Sequence, residues 1–145
     1  MVYRRAVTRC DDQASADDHA RQTSRPIELG SAANEPFCYL TTVGRISGRP
    51  HTVEIWFASR GGTIYLLSGG GDRSDWVRNV NRQSRVVLRV GTMEFVGHAR
   101  IITNPDEDRL ARHLVAGKYQ PTYSGDLSTW RDTALPIAVD LTPGR

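Results

Sequence analysis

FCYLTTVGRISGRPHTVEIWFASRGGTIYLLS, residues 37–68, reads as three strands joined by two turns. FCYLTTV (37–43) is rich in β-forming residues. GRISGRP (44–50) holds two Gly and a Pro and predicts a turn. HTVEIWFA (51–58) alternates, with Val53, Ile55 and Phe57 on one face and Thr52, Glu54 and Trp56 on the other. SRGG (59–62) predicts a second turn and TIYLLS (63–68) a short apolar strand, so the three runs form a meander of hairpins.

The pattern continues outward on the C-terminal side. SGGGDRS (68–74) interrupts, and SDWVRNVNRQ predicts a short helix with Ser74 as N-cap and Trp76 and Val80 on one face. RVVLRV (85–90) and MEFVGHARIIT (93–103) predict another hairpin across a Gly-Thr turn. Asn104-Pro105-Asp106-Glu107 is a helix start, with a cap residue, Pro at the first helical position and an acid at the third. That helix carries Leu110, Leu114 and Val115 and is expected to end at Gly117. LPIAVDL (135–141) is a last strand. Six strands with short inserted helices predict a mainly β domain, a small antiparallel barrel with peripheral helices.

On the N-terminal side, residues 1–24 are polar and lack a helical apolar stripe, and residues 25–35 predict a short helix ending near Asn34. The chain therefore divides into a polar arm, 1–35, partly disordered or helical, and one barrel domain, 36–145. A chain of 145 residues suits one such domain. No apolar run approaches the ~20 residues of a membrane-spanning helix. The start of the chain lacks the apolar segment of a secretory signal, so a cytoplasmic setting is the expectation.

Charge narrows the ligand class. Of 19 basic residues, 18 are Arg and one, Lys118, is Lys, a skew that codon bias alone can produce. Its distribution is uneven. Residues 1–35 carry five Arg against six acids, whereas 40–91 carry eight Arg against Glu54, Asp72 and Asp75, a net +5. That excess suits a small anionic ligand, because Arg binds carboxylate and phosphate through a planar fork. It does not form the basic stripe of a nucleic-acid module, and no nucleic-acid partner is expected. Cys10 and Cys38 have no metal-ligand spacing, so no metal is expected, and Cys38 reads as a small buried hydrophobe.

Four groups of residues could carry chemistry. In Gly44-Arg45-Ile46-Ser47-Gly48-Arg49 the glycines can turn backbone N–H groups inward as an anion nest between two Arg forks; the competing reading is a solvated hairpin turn. Ser68-Gly69-Gly70-Gly71 precedes a helix, and three consecutive glycines suit close backbone approach to a flat or phosphorylated ligand, or a flexible linker. Trp76 and Asn79 lie on the helix, where Trp76 reads first as core, and Arg78, Arg82 and Arg85 read as a solvated face. Tyr119, Tyr123 and Trp130 follow the long helix, as a pocket lid or as loop packing, and a phenol can donate a proton in a reduction. His19, His51, His98 and His113 are mutually isolated and support no nucleophilic triad.

Taken in order, TTVGRISGRPHTVEIWF, YLLSGGGDRSDWVRNV and the tail with LPIAV resemble the deazaflavin (coenzyme F-420)-dependent nitroreductase family, which includes quinone-reductase-like oxidoreductases. The likeness spans residues 37–142. It implies a split β-barrel of six antiparallel strands, flavin-reductase-like, that binds coenzyme F-420. It implies further that Arg45, Ser47, Gly48 and Arg49 hold the anionic phosphate and oligoglutamate tail. Ser68, Gly69, Gly70 and Gly71 would pass close to the deazaflavin ring, with Trp76 and Asn79 completing that edge.

The implied reaction is hydride transfer from the reduced cofactor to a quinone, nitro compound or other electron-poor acceptor, with Tyr119, Tyr123 or Ser68 as proton source. Three positions depart from the family pattern: Ile46 stands where a basic residue is usual, Arg73-Ser74 where a His-Pro pair is usual, and Val77 where an aromatic is usual. Arg73 is the expected substitute cation. The alternatives are a non-catalytic cofactor or apolar-ligand carrier, and a flavin mononucleotide oxidase on the same barrel. The expected partners are the cofactor and the acceptor, with a homodimer and peripheral membrane contact left open.

Overall fold

The structure is a computed structural model and describes residues 29–143. The polar arm of residues 1–24, Cys10 and His19 lie outside the described residues. Seven strands form one antiparallel sheet: β1 (Cys38–Val43), β2 (Pro50–Ile55), β3 (Ala58–Arg60), β4 (Thr63–Ser68), β5 (Arg85–Val90), β6 (Met93–Ile101) and β7 (Leu135–Leu141). Three α-helices are inserted: α1 (Asp75–Arg82), α2 (Pro105–Tyr119) and α3 (Ser128–Thr133). The helix expected over 25–35 is a 3-10 turn, Gly30–Asn34, within the described part of that segment.

The strand order is β2-β1-β5-β6-β7-β4-β3. The two outermost strands, β2 and β3, are consecutive in the chain and separated only by Trp56 and Phe57. Three Cα steps span at most ~11 Å, so the sheet must curl until its ends meet. The result is a split barrel whose seam lies at Trp56–Phe57.

The seam also corrects the strand count from six to seven. HTVEIWFA is one run in the sequence, but its ladder stops at Ile55 and a new pairing, Ala58 with Tyr65, starts on the other side. Between them the backbone of Phe57 is held by a side chain. Its N–H donates to Tyr119 Oη at 3.0 Å, and its carbonyl lies 3.1 Å from the same hydroxyl. A hydroxyl thus satisfies the groups that a continuous strand would have paired.

The period of two in β4 and β7 divides the core into two layers. Ile64, Leu66, Ile137 and Val139 join Leu40, Phe57, Leu88 and the α1 residues Trp76, Val77 and Val80. Tyr65, Leu67 and Ala138 join Ala111 and Val115 of α2 on the other face. Cys38 is fully buried, and burial pushes its thiol up to about 12.

Helix α2 starts as its sequence dictates. Asn104 Oδ1 accepts the N–H groups of Asp106 and Glu107 at 2.8 and 3.0 Å. Its end differs from expectation, because the helix runs through Gly117 to Tyr119. Gly117 does not adopt the left-handed conformation that stops a helix. The extra residues are anchored instead: Lys118 Nζ donates to the carbonyls of Ala33 and Glu35, and Tyr119 reaches the seam. No helix among the described residues is long and apolar enough to cross a membrane.

Candidate functional site

The hairpin β1–β2 places Thr42 opposite His51 and projects Gly44–Arg49 from its end. Gly44 N–H donates to the Arg49 carbonyl at 2.8 Å, Gly48 N–H to the Gly44 carbonyl at 2.8 Å, and Gly48 takes φ +76. A side chain at Gly48 would strain this turn. Ile46 stands at its tip, 89% exposed.

Asn79 fastens that turn to α1. It is 3% exposed, and its Oδ1 accepts from the Arg45 backbone N–H at 3.1 Å and from Arg45 Nη1 at 2.9 Å. Its Nδ2 donates to Thr42 Oγ1 at 3.0 Å. Every polar atom of this buried amide has a partner, so one residue fixes a strand, a turn and a guanidinium at once. Arg45 Nη2 meets Asp75 Oδ1 at 3.3 Å.

Between turn and helix lies a cleft of about 410 Å³, lined among others by Thr42, Arg45, Ser47, His51, Asp75 and Trp76. Trp76 is both core and wall, since it packs beneath the barrel and borders the cleft. Ser47 Oγ accepts the Arg49 N–H at 3.1 Å and lies 3.5 Å from His51 Nε2. A Cβ on Gly44 would stand 2.6 Å from that nitrogen, so glycine is what lets the histidine close in. The Arg49 and Arg73 guanidinium groups are exposed and take no partner among the described residues.

The second expected motif takes a different form. Residues 68–71 are neither a flexible linker nor part of this cleft's lining. They form a tight 3-10 turn, Gly71–Arg73, leading into α1. Each glycine has a local reason. Gly71 takes φ +64, a Cβ on Gly70 would meet Ser74 Oγ at 2.6 Å, and a Cβ on Gly69 would meet Trp130 Nε1 at 3.3 Å. Ser74 occupies the N-cap position of α1 but does not cap it by its side chain. Its hydroxyl lies 2.9 Å from Ser68 Oγ, which also donates to the Gly71 carbonyl at 3.0 Å. The two serines clip the turn shut.

The third group assembles around Trp56. Tyr119 stacks on it at 4.2 Å, and Tyr123 and Trp130 meet it edge-on at 5.8 and 5.6 Å. Through Trp130 these rings border Gly69, so residues 68–75 run from the aromatic group to the cleft.

Two expected proton sources are committed elsewhere. Ser68 is 2% exposed and its hydroxyl closes the turn. Tyr119 is buried, its hydroxyl lies 2.9 Å from the Pro36 carbonyl and within the seam, and burial pushes its phenol up to about 12. Both are structural groups here. Tyr123, 46% exposed, keeps a free hydroxyl among the described residues.

Thr42, His51 and Asp75 were absent from the expected set. Thr42 and His51 were legible in principle, since they flank the turn symmetrically in the hairpin register. Glu54 faces outward and accepts from Tyr39 Oη at 3.2 Å, away from the cleft.

Residues 11–142 match the family described as F420H(2)-dependent quinone reductase. The chain belongs to this family. Its barrel is also similar to solved structures. An F-420-H2 dependent reductase (FDR-A) shares 20% identity over 72% of this chain and 93% of that one, with TM-score 0.58. An F-420 reductase shares 18% over 81% and 95%, with TM-score 0.57. A putative pyridoxamine 5'-phosphate oxidase from Listeria innocua shares 18% over 78% and 89%, with TM-score 0.58. Coenzyme F-420-dependent reduction is the activity of the family; flavin mononucleotide and a non-catalytic carrier are the less favoured readings. The donor chemistry of the cleft fits this cofactor: guanidinium, hydroxyl and imidazole groups face a space beside a helix start, as an anionic tail requires.

Proposed function

We propose that this chain reduces a quinone-type acceptor, with the cofactor's phosphate and oligoglutamate tail in the cleft and its ring bordered by residues 68–71 and the aromatic group. The observation that carries the reading is the buried Asn79, which presents an Arg-bearing turn and a helix start to one space.

When bound in its reduced form, coenzyme F-420 supplies a hydride. The protein's own groups do the rest. Ser47 and His51 in the lining give the tail polar contacts, and Arg49 and Arg73, exposed two residues from the lining residues Ser47 and Asp75 and free of partners among the described residues, attract its charges. Gly69 and Gly70 keep side chains away from the ring's edge. Trp56, Tyr123 and Trp130 offer apolar faces to a planar acceptor and exclude water from it. Tyr123 would donate its phenolic proton to an oxygen of the acceptor, and solvent would return a proton to the phenolate. A quinone thereby gains one hydride and one proton and leaves as the hydroquinone.

The test is titration of the purified protein with coenzyme F-420 while tryptophan fluorescence is followed, then loss of the reduced cofactor's signal with menadione. Saturable binding at micromolar cofactor and quinone-dependent oxidation are expected. No binding at that concentration would overturn the proposal. Tyr123→Phe is expected to lower kcat by about 100-fold, the usual share of a positioned proton donor, with the cofactor Kd unchanged.

A further inference from the structure

Arg45 does not present an open fork. Its backbone N–H and Nη1 are held by the buried Asn79, and its Nη2 faces Asp75 at 3.3 Å. The two partners differ in kind. Asn79 is buried and is itself held by Thr42, so it positions the guanidinium from the protein side. The Asp75 carboxylate is 84% exposed at the first position of α1 and lines the cleft. An ion pair so exposed is weak, and its carboxylate loses little hydration when it swings away.

We propose that Asp75 is an internal competitor anion at Arg45 that lowers the affinity of the cleft for every anionic ligand, so that a polyanion with further contacts still binds where a single anion is held only weakly; this rests on the reading of the cleft as a cofactor-tail site. Asp75 is tethered beside Arg45, so its effective concentration there is about millimolar or more. A lone phosphate or carboxylate offers Arg45 nothing that Asp75 does not already supply. A ligand carrying several negative charges is also drawn by Arg49 and Arg73, which stand outside the lining but two residues from Ser47 and Asp75, and the combined attraction displaces Asp75. The competitor thus sets a penalty that every anion meets, and a polyanion offsets it through its further contacts.

The experiment compares wild type, Asp75→Asn and Asp72→Asn. Asp72 is an exposed acid on the neighbouring turn with no contact to Arg45, so its variant matches the change in net charge. Binding of coenzyme F-420, inorganic tripolyphosphate and inorganic phosphate is followed by tryptophan fluorescence at low and high salt. Asp75→Asn is expected to bind coenzyme F-420 and tripolyphosphate about fivefold more tightly at low salt, the size of one unit-charge repulsion across ~4 Å of water. That gain disappears at high salt and in an Arg45→Met background, and Asp72→Asn stays within twofold of wild type.

Inorganic phosphate is likewise expected to bind Asp75→Asn about fivefold more tightly than wild type, and to bind both more weakly than tripolyphosphate does. Equal or weaker binding by Asp75→Asn, with wild type binding coenzyme F-420 normally, overturns this inference and leaves the cofactor site standing. A lower Tm with unchanged affinities also overturns it, and makes Asp75 a helix-start residue only. Tighter tripolyphosphate binding by Asp75→Asn with no binding of coenzyme F-420 by any form overturns the cofactor reading and keeps the competitor. No binding of any probe overturns both.

Discussion

At the scale of single residues, Tyr119 and Asn79 do comparable work at two ends of the structure. Each is a buried polar side chain that satisfies backbone groups of another element. Tyr119→Phe leaves the Phe57 N–H and the seam carbonyls without a partner and should cost about 1–3 kcal/mol of stability, read from denaturant unfolding. Because that hydroxyl is structural, the cofactor Kd of the variant should equal that of wild type. Asn79→Ala should lose a similar ~1–3 kcal/mol and also weaken cofactor binding, since it frees both Arg45 and Thr42. Arg49→Ala and Arg73→Ala carry no such structural burden. Together they should lower affinity about tenfold at low salt, roughly two charge contacts near a surface, and flatten its salt dependence. The family resemblance assigned Arg45, Ser47 and Arg49 to the cofactor tail and Trp76 and Asn79 to the ring edge, whereas Trp76 and Asn79 stand beside the Arg45 turn. It could not show that Asn79 already occupies Arg45, because partner choice depends on distances between strand and helix. The same limit put Tyr119 among proton donors: residue type is visible in a sequence, and the commitment of a hydroxyl is not.

Among the elements, the segment from Ser68 to Asp75 carries the most information. Its glycines serve a tight turn clipped by Ser68 and Ser74 and packed against Trp130. Gly71→Ala forces a left-handed conformation on an L-residue and should cost about 1–2 kcal/mol. Gly70→Ala brings a methyl group to 2.6 Å from Ser74 Oγ and should disturb the clip and cofactor binding together. Thermal unfolding and the F-420 titration check both. Helix α2 shows why its C-terminal end was misread. Glycine near the end of a periodic run is usually a stop, yet here Lys118 and Tyr119 make contacts on residues 33–36 and 57 that hold two more helical residues in place. Those partners are 62 to 85 positions away in the chain, beyond any local pattern.

At the scale of the whole molecule, the barrel was legible because alternation and turn residues mark each strand; β4, β5 and β7 span the residues their patterns predict. The place of closure was not legible, since nothing local shows that two consecutive strands lie at opposite ends of one sheet. Away from the seam, an ionic cluster ties the paired strands β6 and β7 to α2. Arg100 bonds Glu107 at 2.7 and 2.8 Å and Asp140 at 2.7 and 3.1 Å. The guanidinium holds both carboxyls below their usual range. Their folded pKa values are thus lower than the unfolded ones, near 4. The stability they contribute is full above about pH 4 and is lost as pH falls through the lowered values. Tm should therefore drop on acidification below about pH 4, and less steeply in Glu107→Gln. The central claim is that the space between the β1–β2 turn and α1 receives the anionic tail of coenzyme F-420. Chemical-shift mapping of backbone amides during titration with that cofactor tests it most directly. The largest shifts should fall on residues 44–49 and 73–79, with a second group at 68–71. Shifts confined to the groove that His113, Gln120 and Arg131 line between α2 and α3, or none at saturating cofactor, would contradict it.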